Sequence, residues 1–375
     1  MPRPIAAHIY PEAVAHNLQV VRARVTTPGR RPRVWAVVKA NAYGHGLERV
    51  LPGLLKADGL AMLDLDEAVR CREAGWGGPI LLLEGFFEPA DVAAYERYHL
   101  SAILHHDDQF RMLREASGRH AIDVFLKLNS GMNRLGFAPG RYRVAYERAC
   151  ELQRRGVLGT IGHMTHFANG DDADKVAQVM GLFQRATDGM PGPRSVCNSA
   201  ATLGSPALAA TTDWLRPGIC LYGATPFEVA PSAADLGLVP AMHLRSQVIA
   251  EQHLPAGAAV GYGGTFTATE PMRIGVVACG YADGYPRHAP SGTPLAVAGR
   301  RTRVVGRISM DMLAIDLTPW PDVGVGAPVS LWGGDGIAVD DVAAASGTIG
   351  YELLTHLASR VPVAVRAGLP AMAGG

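Results

Sequence analysis

The sequence predicts an α/β chain: a (β/α)8 barrel followed by a mostly antiparallel β-strand domain. Three observations predict it. Eight apolar, strand-like runs alternate with amphipathic segments over the first two-thirds of the chain. After Pro240 the texture changes to short β-rich runs separated by Gly, Pro and Asp turns. Polar residues gather just past the ends of the apolar runs, where barrels of this kind carry their chemistry. These observations set the barrel at residues 1–240 and the β domain at 241–375. Residues 1–10 also read as a strand that could pair with the β domain.

The eight runs are Val34–Val38, Gly59–Leu63, Ile80–Leu83, Ser101–Leu104, Asp123–Leu128, Gly159–His166, Arg194–Cys197 and Asp213–Leu215. Most are apolar without alternation, the pattern of strands buried on both faces. Amphipathic stretches such as Asp66–Ala74 and Asp174–Thr187 lie between them. Asp66 and Asp107 read as N-caps, and Gly75, Gly118 and Gly156 as C-terminal stops. In the second part, runs such as Ile274–Ala278, Thr293–Val297 and Met312–Leu317 follow a strand pattern. No long helical period is expected there before Tyr351–Ser359.

Composition excludes several classes. The 375 residues carry a net charge of +1, which gives no pull toward nucleic acid or an anionic membrane. No apolar stretch is long enough to span a bilayer, and the N-terminus lacks the apolar core of a signal peptide. The five cysteines form no C-x-x-C pair, which argues against a disulfide framework and against a zinc site. The expected setting is a reducing cytoplasm, with no metal.

The chemistry concentrates at strand ends. Val34-Trp-Ala-Val-Val38 runs straight into Lys39, and a desolvated lysine can act as an amine nucleophile or form a Schiff base. Taken alone, Lys39 could equally snorkel off a strand end. Tyr43 follows Lys39. Past the fifth run come Lys127, Asn129, Ser130, Met132, Asn133 and Arg134. His166 ends the sixth run, Asn198 and Ser199 follow the seventh, and Arg216, Gly218 and Ile219 follow the eighth. Each has a bland alternative: a satisfied buried histidine, a surface ion pair, a helix cap. Their joint placement at one barrel mouth is hard to assign to packing.

These residues sit in motifs that resemble those of the alanine racemases, pyridoxal-phosphate enzymes of fold type III. The Val-Val-Lys39-Ala-Asn-Ala-Tyr43-Gly-His-Gly segment is similar to the family's cofactor-attachment motif. Four more follow in the family's order: Lys127-Leu-Asn-Ser-Gly-Met-Asn-Arg134, His163-Met-Thr-His166, Asn198-Ser199-Ala-Ala-Thr, and Arg216-Pro-Gly218-Ile219-Cys-Leu-Tyr-Gly. The β domain adds Gly261-Tyr262-Gly-Gly-Thr, Gly280-Tyr281-Ala-Asp-Gly-Tyr-Pro-Arg, Ser309-Met310-Asp311-Met and Gly350-Tyr351-Glu. The resemblance covers essentially the whole chain. It implies a pyridoxal-phosphate-binding, TIM-like barrel plus a β domain, and interconversion of L- and D-alanine for peptidoglycan or for alanine catabolism.

The resemblance also implies roles. Lys39 would hold the cofactor and serve as base on one face of the substrate. Tyr262 would serve the other face, coming from the second subunit of a head-to-tail homodimer. A phenol titrates far above neutrality, so a tyrosine base needs help. His166, between Tyr262 and Arg216, would supply it. Arg216 would face the pyridine nitrogen, to which a guanidinium does not surrender its proton. Tyr43, Asn198, Ser199, Gly218, Ile219 and Tyr351 would bind the cofactor, chiefly its phosphate. Arg134 would orient the substrate carboxylate, and Tyr281, Met310 and Asp311 would come from the partner. Lys127 matches a lysine often carbamylated in the family; beside Arg134, an unmodified amine would crowd like charges. Asn129 and Ser130 replace the Asp and Thr of many members, a form associated with alanine catabolism.

Rival readings explain less. A broad-specificity racemase is typically exported, and a non-catalytic cofactor carrier lacks the β domain and Tyr262. A barrel decarboxylase would carry an acidic residue in place of Arg216. A cofactor-free aldolase leaves Arg216 and Tyr262 unexplained together.

Overall fold

The computed structural model describes residues 3–115 and 120–370; Gly118, expected to stop a helix, lies outside them. The chain divides into two compact units. One comprises residues 18–42 and 54–218, the other residues 1–17, 43–53 and 219–375.

The first unit is a nearly closed barrel of eight parallel strands. They are β2 (Arg33–Val37), β3 (Gly59–Met62), β4 (Ile80–Leu82), β5 (Leu100–Leu104), β6 (Ile122–Lys127), β7 (Leu158–Met164), β8 (Arg194–Ser195) and β9 (Trp214–Leu215), with β1 (Ala6–Ile9) preceding them in the other unit. Each barrel strand pairs with its successor from β2 to β8, and β9 pairs with β2. Asp213 N–H donates to Arg194 O at 3.0 Å and Arg216 N–H to Cys197 O at 2.9 Å, which bridges the last gap. The expected apolar runs are these eight strands, buried because helices cover their outer face and side chains fill the interior. Large rings fill that interior because glycines yield to them. A Cβ on Gly59 would lie 2.2 Å from the Trp35 ring, and one on Gly162 would lie 2.5 Å from Phe125. Trp35 in turn stacks on Trp214, centroids 3.9 Å apart, tying β2 to β9.

Two expected caps shift. The N-cap position of the helix Leu65–Glu73 is Asp64, not Asp66, and the Asp64 side chain makes no capping hydrogen bond. The helix Asp107–Met112 is capped by His106, whose ring nitrogen accepts the Asp108 N–H at 3.2 Å. In both cases an acidic residue expected to cap lies inside the first turn, where it still faces the positive end of the helix dipole. Gly75 and Gly156 adopt positive φ directly after their helices, as stops require.

The second unit holds β1 and β10 (Met242–Leu254), β11 (Ala259–Val260), β12 (Phe266–Thr267), β13 (Met272–Val277), β14 (Pro294–Val297), β15 (Arg300–Val305), β16 (Leu313–Asp316), β17 (Pro328–Trp332) and β18 (Val363–Val365). The order β13-β16-β15-β14-β17-β10 closes on itself through β10–β13, and β1 and β18 extend it. All pairs are antiparallel except β1–β18. β10 reaches both β17 and β13 because it is long and carries a bulge between Val248 and Ala250. The helix Val339–Ala345 was not expected: seven residues are too few to show a helical period. No helix among the described residues is long and apolar enough to cross a membrane.

Candidate active site

The barrel mouth is built from the residues at and just past the strand ends. Lys39 lies two residues past β2, Lys127 ends β6, His166 lies two past β7, and Arg216 directly succeeds β9. Arg216 is buried and satisfied by backbone. Its Nη1 donates to Ser195 O and Oγ, both at 2.7 Å, and its Nη2 to Thr165 O at 2.6 Å. The same Nη2 lies 3.4 Å from Nδ1 of His166. An arginine has no acceptor, so Nδ1 is the unprotonated nitrogen and Nε2 carries the ring hydrogen. Burial, then Arg216, Lys127, Arg134 and Lys39 in turn, hold the His166 imidazole well below its ordinary pKa. It is therefore neutral. Burial pulls Arg216 down to about 10, still protonated at neutral pH.

Two amines share this mouth. Burial, reinforced by Arg134 and opposed by Glu84, lowers Lys39. Lys127 falls to about 8 through burial and then Arg216 and Arg134. Both are therefore easier to deprotonate than a surface lysine. Lys127, Asn129, Ser130, Met132, Arg134 and His166 line a small cavity. Asn129 organises the loop that carries Arg134. Its Oδ1 accepts the N–H groups of Gly131 and Asn133, and its Nδ2 donates to Asn133 Oδ1 at 3.1 Å. An aspartate could make the first two bonds but not the third. Ser130 Oγ meets Thr165 Oγ1 at 2.6 Å. Asn198 caps the helix Ser199–Gly204, and Ser199 Oγ accepts the Gly218 N–H at 2.8 Å.

Lys39 opens onto an unusual backbone. Ala40, Asn41 and Ala42 all sit near φ 52–55 and ψ 50–54, and Tyr43 continues at φ 51. This is one turn of left-handed helix made without glycine, at a cost of about 1–2 kcal/mol per residue. Such strain persists only where the surroundings hold it.

The remaining expected residues lie in the second unit. Tyr43 is buried, stacks on Tyr222 at 4.7 Å, and lies 6.1 Å from the Tyr351 ring. Burial raises both the Tyr43 and Tyr351 phenols, keeping them protonated donors. Ile219 opens the buried 3-10 turn Ile219–Tyr222. Tyr262 is 69% exposed, in the loop joining β11 to β12. Tyr281, Met310 and Asp311 are brought together: Tyr281 N–H donates to Ser309 O, Ala282 N–H to Met310 O, and Arg360 to Asp311 at 2.6 Å. Met310 is exposed.

Four residues at the mouth were not singled out in the sequence. Ser195 and Thr165 support Arg216, Glu84 faces both lysines, and Glu67 accepts the Asn41 N–H at 2.6 Å. Glu84 ends an apolar run as Lys39 does and could have been found by that signal. Glu67 sits inside a helix and could not.

The fold and the mouth define a class: a barrel enzyme with a desolvated amine set among fixed cations. The family described as alanine racemase, N-terminal domain, matches residues 9–226, and its C-terminal domain matches residues 241–365. An alanine racemase of Bordetella petrii is 61% identical over 97% of this chain and 99% of its own length. One from Ralstonia pickettii is 54% identical over 97% and 96%. The crystal structure of a biosynthetic alanine racemase from Pseudomonas aeruginosa superposes with TM-score 0.90 at 44% identity, covering 97% of this chain and 99% of that one. An alanine racemase from Acinetobacter baumannii gives 0.88 at 38%, over 97% and 100%. The chain belongs to the alanine racemase family.

Proposed function

We propose that this chain interconverts L-alanine and D-alanine, with pyridoxal phosphate as cofactor, as a head-to-tail homodimer in the cytoplasm. The observation that carries the reading is the pairing of the desolvated Lys39 amine with buried Arg216 and neutral His166 in one mouth. The donor set suits the cofactor. Lys39 offers an amine to an aldehyde, and the Arg134 guanidinium suits the carboxylate of a bound amino acid.

When bound, the cofactor delocalises the electron pair left on the substrate's α-carbon. Lys39 Nζ anchors the cofactor, then moves the α-proton on one face. The Tyr262 hydroxyl of the partner subunit moves it on the other, assisted by His166. Arg216 would offer an N–H to the cofactor's ring nitrogen and, because a guanidinium keeps its proton, would leave that nitrogen unprotonated. Arg134 orients the substrate carboxylate. Tyr43, Asn198, Ser199, Gly218, Ile219 and Tyr351 bind the cofactor and its phosphate. Tyr281, Met310 and Asp311 act from the partner to narrow the pocket. In this reading residues 1–240 form the cofactor-binding part and 241–375 the part that completes the partner's site. Lys127 is carbamylated, which its lowered pKa near 8 supports. The metabolic role is supply of D-alanine for peptidoglycan; the Asn129-Ser130 form supports a second role in alanine catabolism.

The test is to load the purified protein with pyridoxal phosphate and measure bound cofactor per chain and D-alanine formed from L-alanine. Stoichiometric binding with D-alanine formation supports the reading. Binding without action on alanine removes the substrate assignment, and no binding removes the cofactor.

A further inference from the structure

Glu67 lies on the first turn of the helix Leu65–Glu73 and is 8% exposed. Its Oε1 accepts the N–H of Asn41, at the centre of the left-handed turn, at 2.6 Å. The Asn41 residue is exposed, and its amide is held by this buried carboxylate. Ala42 N–H donates to Val38 O at 2.8 Å, so the turn is tied to the strand end on one side and to the helix on the other. The charges facing Lys39 are Arg134 and Glu84. Glu67 therefore reaches Lys39 by fixing the backbone just after it.

We infer that Glu67 is a positioning residue: by holding the Asn41 amide it keeps residues 40–43 left-handed and so aims the Lys39 side chain into the mouth. The inference rests on the assignment of Lys39 to the cofactor. Release of the amide lets Ala40–Ala42 relax toward right-handed backbone. Because the turn is tied at both ends, that relaxation strains the Lys39 backbone it adjoins, and misplacement of a reacting group by about 1 Å can cost on the order of a hundredfold in rate.

What matters in this account is an acceptor oxygen at the right reach, not a charge. Glu67→Gln keeps the oxygen and the length. Glu67→Asp keeps the charge and withdraws the oxygen by one methylene. Wild type and both variants are compared by amide hydrogen exchange at Asn41 without cofactor, by the dissociation constant for pyridoxal phosphate, and by kcat and KM for alanine. The expected result is that Glu67→Gln stays within about threefold of wild type in all three. Glu67→Asp exchanges Asn41 at least about tenfold faster, binds the cofactor more weakly, and loses about tenfold to a hundredfold in kcat with KM little changed. The inference is overturned if Asn41 exchange is the same in all three proteins, if Glu67→Gln is the more damaged variant, or if losses merely follow a falling melting temperature. If wild type neither binds cofactor nor racemises alanine, the functional reading fails instead, and Asn41 exchange still decides whether Glu67 holds the turn.

Discussion

Nη2 of Arg216 lies 3.4 Å from Nδ1 of His166, so the most buried cation of the mouth points at an imidazole that must be neutral to receive it. Arg216 is the largest charged neighbour depressing His166. Replacing it with glutamine should raise the His166 pKa while burial still holds it below the ordinary value. Imidazole NMR from pH 5 to 8 should show no titration in wild type and an upward move in Arg216→Gln. Wild-type titration at the ordinary value of about 6.5 would contradict the neutral ring. The variant also leaves the Ser195 and Thr165 carbonyls short of donors, at about 1–3 kcal/mol in stability.

Lys127 presents an amine whose pKa of about 8 leaves a reactive neutral fraction at neutral pH. Carbon dioxide adds only to that neutral form, and the resulting anion relieves the crowding by Arg216 and Arg134. Protein equilibrated with 13C-labelled bicarbonate should show one carbamate carbonyl signal, increasing as pH rises through 8 and absent in Lys127→Arg. An unchanged spectrum in wild type would rule the modification out.

Asp283 is fully buried, ion-paired with Arg3 and Arg360 at 2.8 Å each, and accepts the Gly280 N–H at 2.9 Å. Burial alone would raise its pKa, but the hydrogen bonds from Arg3, Arg360 and Gly280 outweigh it and the net shift is downward. A depressed carboxyl adds stability above its unfolded pKa of about 4, lost as pH falls through the lower folded value. Asp283→Asn should therefore cost about 1–3 kcal/mol at neutral pH, allowing for the exposure of both arginines. It should also flatten the loss of stability below pH 4. Urea midpoints at pH 7 and pH 3 measure both.

The stacked pair Trp35 and Trp214 links the first barrel strand to the last. Trp214→Ala should cost about 3–5 kcal/mol, visible as a lower urea midpoint. A loss below about 1 kcal/mol would mean that the stack does not hold the barrel shut.

Much of this was legible in the sequence because period and position are strong signals. A strand buried on both faces reads as an unbroken apolar run, and the residue that ends it falls at the mouth; that located Lys39, Lys127, His166 and Arg216. Features set by tertiary contact were not legible. Ala40-Asn-Ala-Tyr43 contains no glycine, so nothing local announced a left-handed turn. Glu67 looks like any first-turn acid. Residues 1–10 read as a strand that could pair with the β domain, and β1 does so; its particular partners, β10 and β18, lie more than two hundred positions away, beyond any local pattern.

The two-base assignment makes an asymmetric prediction for exchange of the α-proton with solvent deuterium. Tyr262→Phe should lose racemisation in both directions, because each direction needs both bases. It should still exchange the α-proton of the one enantiomer that Lys39 serves. Lys39→Ala should lose racemisation and that exchange together. Equal, mild losses in both variants would contradict separate bases.

The most direct test of the central claim is D-alanine formation from L-alanine by wild type and by Lys39→Ala, each supplied with pyridoxal phosphate and checked for the same melting temperature. The account predicts racemisation to an equal mixture by wild type and essentially none by the variant. Racemisation that survives loss of Lys39, or a wild type that leaves L-alanine unchanged, would contradict it.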